Sequence, residues 1–244
     1  NRIYASEIPE LLLTHPVTTG RTADALGRAE HFPYTQPKDD LRYQLSKMSL
    51  SLHDVVDNER SIQELQQLLQ AGRYRNRSAV EYGLATLLMR TGRLSEADRL
   101  LDQLLAKHPE ITELIVSKAK LEATLQKSPQ ALQRLQSALL KRPSSYALNI
   151  SLAEIAISNR EYQLALDTLQ TFLIYQDNDP RVYHMLAIAA GENQQLLDSH
   201  RYQAQAHYLS GDLESAIIQL ELALKLPALS FFDSAKIESQ LKAV

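Results

Sequence analysis

The chain holds seven histidines and no cysteine, so any metal or acid–base chemistry must be built from imidazole, carboxylate and hydroxyl groups. A zinc-hydrolase helix needs His-Glu-x-x-His, because that spacing turns both imidazoles to one face and sets a general base beside the metal. The residues that follow His15, His31, His53, His108, His184, His200 and His207 are Pro, Phe, Asp, Pro, Met, Arg and Tyr. None of them starts such a string. His200 and His207 share a helix face but lack a third donor, and they are assigned no role. No Gly-x-Ser-x-Gly elbow, phosphate loop or glycine-rich dinucleotide turn occurs, so nothing positions a nucleophile or cofactor. The chain is expected to have no catalytic residues and no cofactor of its own.

The elements that would position any site follow from composition. With 44% apolar residues in 244, the chain can bury a sizeable core. Glycine is scarce, and Leu, Ala, Gln and Ser fill long stretches, which is the composition of packed helices. The formal charge of -3 argues against nucleic acid as a partner, because phosphate binding needs a concentrated basic face. The longest apolar runs, such as Leu11 to Leu13 and Leu186 to Ala190, are far shorter than the roughly 20 residues that cross a bilayer. The absence of cysteine suits a reducing cytosol and a cysteine-poor periplasmic protein alike.

Small residues recur at one interval. Ala85, Ala119 and Ala153 form one series, Ala97, Ala131 and Ala165 a second, and Leu101, Leu135 and Leu169 a third, each stepping by 34 residues. Thirty-four is the period of the tetratricopeptide repeat, a hairpin of two helices that approach closely only where side chains are small. Gly92 suits a left-handed helix end and Ser95 a helix start, and Gly211-Asp212-Leu213-Glu214-Ser215-Ala216 repeats that turn. The expected fold is all-α, a right-handed superhelix of antiparallel pairs. Its domain is expected over 39–244, with the clearest units at 78–109, 112–143, 146–180 and 181–227 and a capping helix at 230–244. Residues 40–52 and 59–71 resemble a degenerate first unit. The register is expected to slip at Asp177 to Pro180. Gly191-Glu192-Asn193 then interrupts the pattern, and an extra helix brings Ala216 to one and a half periods past Ala165.

The first helix of each pair should line a concave groove that receives a partner protein. The positions expected there are Tyr82, Thr86 and Met89, then Glu113, Val116 and Lys120, then Ile150, Glu154 and Ile157. Packing of some of them against the neighbouring pair is the competing reading. This mixture is not the paired Lys, Arg and Asn that clamp a terminal carboxylate, and it better suits an extended or partly folded polypeptide.

Residues before about 40 do not follow the repeat. They contain Leu11-Leu12-Leu13-Thr14-His15-Pro16, then Arg21-Thr22-Ala23-Asp24. This resembles the end of the peptidase domain in BepA/YfgC-like HExxH zinc metallopeptidases, where a Leu-x-Thr-His-Pro motif, an arginine and a short helix lead into tetratricopeptide repeats. Thr22 stands where the relatives more often have Ile. The resemblance implies that residues 1–38 are the end of a peptidase domain and a linker, and that the chain is the later half of a longer periplasmic enzyme. It makes His15 the candidate switch ligand, able to fill the open zinc position in the full-length parent, and Arg21 a loop anchor or cleft residue. It also implies that protein clients, outer-membrane β-barrel proteins among them, and their assembly machinery are the partners. The alternative is a stand-alone repeat adaptor or scaffold unrelated to proteolysis.

Overall fold

The computed structural model describes residues 18–31, 40–227 and 229–243, and every regular element among them is an α-helix. Two compact units separate, residues 1–40 and 41–244. In the first, residues 22–29 of α1 (Thr18–Ala29) are exposed, and an Arg28–Asp24 pair at 2.6 Å joins successive turns.

The second unit contains α2 (Leu41–Ser51), α3 (Asn58–Gln70), α4 (Arg77–Arg90), α5 (Leu94–Lys107), α6 (Thr112–Thr124), α7 (Ser128–Leu139), α8 (Tyr146–Ser158) and α9 (Tyr162–Phe172). It continues with α10 (Pro180–Glu192), α11 (Leu196–Leu209), α12 (Leu213–Leu224) and α13 (Phe231–Ala243). The helices α4 with α5, α6 with α7, α8 with α9 and α10 with α11 pack as hairpins, and α2 and α3 both rest on α4. Several starts are capped as their residues dictate. Asp57, Asn76, Asp179 and Asp212 each accept a backbone N–H of the first turn, which satisfies a donor that has no helical partner. Ser95 does not cap α5. Arg93 holds that position, and its guanidinium forks onto Glu96 at 2.8 and 2.9 Å.

Each hairpin turns on one left-handed residue. These are Gly92, Gln126, Arg160 and Gln194, spaced by 34, with φ between 60° and 75°. The residue after each donates its N–H back to the carbonyl five positions earlier, as Arg93 does to Leu88 at 2.9 Å and Gln195 to Ala190 at 2.8 Å. That bond satisfies a carbonyl the helix would leave free. Twelve residues separate the small residue of the first helix from that of the second in every pair, from Ala85 and Ala97 to Ala187 and Ser199, and all of these are buried.

The expected slip at Asp177 to Pro180 does not occur. The connection there is longer, but α9 stops at Phe172, so Ala187 still falls 34 residues after Ala153. Nor does Gly191 interrupt α10, which runs on to Glu192. A Cβ at Gly191 would stand 3.1 Å from Ser199 Oγ, so the glycine permits the close approach of α11. The half-period shift comes one helix later. Ala204 and Ala216 again lie twelve apart, with left-handed Gly211 between them. Thus α11 is the second helix of one hairpin and the first of the next, the extra helix that the Ala165 to Ala216 spacing implied.

The core of this unit falls into one apolar cluster from α2 to α6 and another from α6 to α10, with a small third cluster across α11–α13. The first two meet at α6, where Lys118 and Glu122 occupy columns filled elsewhere by Leu84, Leu152 and Leu186, and by Leu88, Ala156 and Ala190. Both charges are buried, and both are paired. Lys118 reaches Asp98 at 2.8 Å and also Asp102, and Arg134 grips Glu122 through two bonds of 2.6 and 3.0 Å. Burial works against the charge on Lys118, but the two aspartates outweigh it and raise the pKa. A charge taken out of water needs such partners.

Candidate functional site

Successive first helices touch one another, α4 with α6, α6 with α8 and α8 with α10, whereas α5, α7 and α9 are held further apart. A stack that is tight on one side and open on the other curves toward the tight side, so the first helices line the inner face of the repeats.

On that face Lys120 and Glu154 are 34 residues apart and pair at 3.4 Å, and Glu154 also binds Arg181 at 2.5 Å. Three helices, α6, α8 and α10, are thereby tied in a row. Partial burial opposes the charge on Arg181, and the Glu154 hydrogen bond overcomes it and raises the pKa. Around this row stand half-buried Met89, Val116 and Ile157, each packed at the edge of the core, with Ile188 40% exposed one repeat beyond Glu154. A shallow pocket of about 380 Å³ lies between α6 and α8, lined by Lys120, Thr124, Glu154 and Asn159 among others. Thr86 is half-buried and spends its hydroxyl on the Tyr82 carbonyl. Glu113 is half-buried, with one carboxylate oxygen enclosed and without a partner.

Two expected lining residues are core instead. Tyr82 is 9% and Ile150 4% exposed, each within an apolar cluster. Both side chains fill the seam between neighbouring first helices, whereas Val116, midway between them in the same column, keeps part of its surface. Arg181 and Ile188 belong to the groove and were missed, although both fall at 34-residue intervals from expected positions, Arg181 two repeats after Glu113 and Ile188 one after Glu154. His15 lies outside the described residues, as does the side chain of Arg21, whose backbone is part of α1.

Other constellations do not assemble chemistry. Ser78 Oγ and His108 Nε2 lie 3.0 Å apart, a distance that suits a nucleophile and base. The same place one repeat on holds Thr112 and Arg142, bonded at 2.6 Å, so this contact ties one unit to the next. His200 Nδ1 meets Gln219 Oε1 at 2.8 Å and His207 Nδ1 meets Asp212 Oδ2 at 3.3 Å. Among the described residues no three His, Asp or Glu side chains converge to hold a metal. A cleft of about 800 Å³ bordered by α5, α6 and α7 is rich in charge, but Arg134 is bound to Glu122, and Lys141 and Arg142 to Glu110. No helix among the described residues is long and apolar enough to cross a membrane.

The tetratricopeptide repeat family profile matches residues 125–189. Beta-barrel assembly-enhancing protease from Yersinia pestis is 29% identical over 98% of this chain and 49% of its own length. The protein of that name from Escherichia coli (strain K12) is 25% identical with the same coverage. The chain therefore spans about half the length of these relatives. Among solved structures, a tetratricopeptide repeat protein from Parabacteroides merdae ATCC 43184 superposes with a TM-score of 0.53 at 16% identity, covering 83% of this chain and 86% of that one. MamA from MSR-1 gives 0.51 at 16% identity, covering 71% and 98%. The fold is that of an all-α tetratricopeptide-repeat protein, and nearly the whole chain is homologous to part of the beta-barrel assembly-enhancing proteases.

Proposed function

We propose that this chain is the polypeptide-holding part of a longer periplasmic HExxH zinc metallopeptidase, and that it presents outer-membrane β-barrel proteins, or the machinery that assembles them, to the protease. The observation that carries the reading is the inner face itself, where apolar Val116, Ile157 and Ile188 flank the Lys120–Glu154–Arg181 row. Apolar side chains with few fixed charges suit an unfolded segment that still exposes its own apolar residues. The extent of the homology with proteins named for β-barrel assembly supports the client class and, through it, an envelope location.

On this reading the chain itself neither catalyses nor binds zinc, because none of its histidines begins the His-Glu-x-x-His string that would supply two ligands and a general base. Zinc belongs to the other half of the longer protein. There His15 would be the residue to fill its open coordination position and hold the protease off, and Arg21 would anchor the loop or line the substrate cleft.

The test is fluorescence anisotropy with a labelled, unfolded outer-membrane β-barrel polypeptide. V116D and I157D are each expected to weaken binding about 10-fold or more, and Q133K, on the outward face of α7, to leave it unchanged. Equal affinity for all four proteins would remove the reading. The reading frame upstream of Asn1 supplies an independent check, since it should encode an HExxH helix, a later glutamate ligand and a signal peptide. A stand-alone scaffold would have none of these.

A further inference from the structure

The last hairpin differs from the others on its outward face. In α5, α7 and α9 two exposed columns are polar, Arg99, Gln133 and Asp167 in one and Gln103, Ser137 and Thr171 in the other. Counted from Ala216 as from Ala97, the same two places in α12 hold Ile218 and Leu222, 47% and 39% exposed. Ile217 beside them is 37% exposed where Leu132 and Leu166 are buried. A short connection later, α13 opens with Phe231 and Phe232, 92% and 73% exposed. A terminal repeat that only capped the stack would be polar here.

We propose that this face joins two copies of the chain about a twofold axis, with α12 antiparallel to its counterpart and crossing it level with residues 219 and 220. The charge order along the helix selects this partner. Asp212 and Glu214 stand at its start and Lys225 at its end, so antiparallel pairing sets each acidic end beside a lysine of the other copy. It also sets Glu214 opposite Lys225 and Glu221 opposite Ile218, so no two like charges face each other. A twofold interface requires such self-complementarity.

The area is sufficient. A stable interface covers about 800 Å² per partner, of which roughly 450 Å² is apolar. At about 200 Å² per ring, the two phenylalanines leave roughly 300 Å² in water. Ile217, Ile218, Leu222 and Leu213, each more than a third exposed, supply the remainder.

Sedimentation of the 244-residue chain from about 1 to 500 µM tests the proposal. The expected result is a reversible dimer with a dissociation constant in the micromolar range or tighter. I218E, at an exposed position that leaves the fold intact, should weaken it at least about 30-fold with an unchanged thermal midpoint. K225E should weaken it about 5-fold or more, and E214K/K225E should recover most of that loss. A chain that remains monomeric to about 500 µM, or a dimer that both I218E and K225E leave unchanged, overturns the proposal.

Discussion

Ala131 sits at 0% exposure where α7 meets its neighbours in the core, and A131L tests whether the helices really approach there. Leucine adds three carbons to an interior already near crystal density, and such overpacking costs about 1–3 kcal/mol, more where the backbone cannot yield. At a crossing shared with Ala119 on the facing helix α6, also 0% exposed, the backbone has little room to move. We therefore expect a loss of about 2–3 kcal/mol, read by urea unfolding followed by circular dichroism. Two controls bracket the result. Q133L, two residues along and outward, should change stability by no more than about 0.5 kcal/mol. S199A returns the fourth hairpin to the alanine of the other three. It forfeits the Ser199 Oγ bond to the Ala187 carbonyl at 2.8 Å, but that carbonyl lies inside α10 and keeps its helical N–H, so the change should stay within about 1 kcal/mol. If A131L is as stable as the parent chain, the close helix approach does not exist and the repeat assignment loses its physical basis.

Gln126, Arg160 and Gln194 hold the left-handed place that Gly92 and Gly211 fill elsewhere, so Q126G, R160G and Q194G should each stabilise by about 0.5–1 kcal/mol, and G92A should do the reverse. Chemical denaturation of the four variants checks the sign. A Cβ at Gly83 would lie 2.6 Å from Met48 Sδ, on α2. G83A should therefore destabilise the parent chain yet gain up to about 1 kcal/mol of helix propensity in an M48A background, a coupling that a double-mutant cycle measures directly. Asp212 has its pKa lowered, first by its hydrogen bonds with Ser215 and then by His207. A carboxyl depressed in the folded state stabilises it above the unfolded value and loses that contribution as pH falls through the folded one. The Asp212 side-chain carbon in NMR should accordingly titrate below the ordinary aspartate range.

The repeat was legible because its determinants are local. An alanine needed at a helix crossing recurs with the period of the fold, whereas the polar layer at Lys118 and Glu122 shows only once their partners are placed. The turns were harder, since Gln126, Arg160 and Gln194 adopt a glycine-like conformation without glycine, held by the bond that follows each of them. Ser199 hid the fourth hairpin because its hydroxyl finds a carbonyl across the crossing, which makes it behave as an alanine. The groove was half legible. Periodicity places Lys120 and Glu154 on one face, but the depth of Tyr82 and Ile150 depends on how closely successive hairpins pack. That is a tertiary quantity, and no spacing within one helix reports it.

The account rests on the first helices forming the surface that holds a polypeptide, and photo-crosslinking tests this most directly. A benzophenone side chain placed in turn at Lys120, Ile157 and Ile188, and at outward positions Gln133 and Asp167, is irradiated with an unfolded β-barrel polypeptide. The account predicts adducts from the first three and none from the last two. Adducts from the outward pair alone would contradict it.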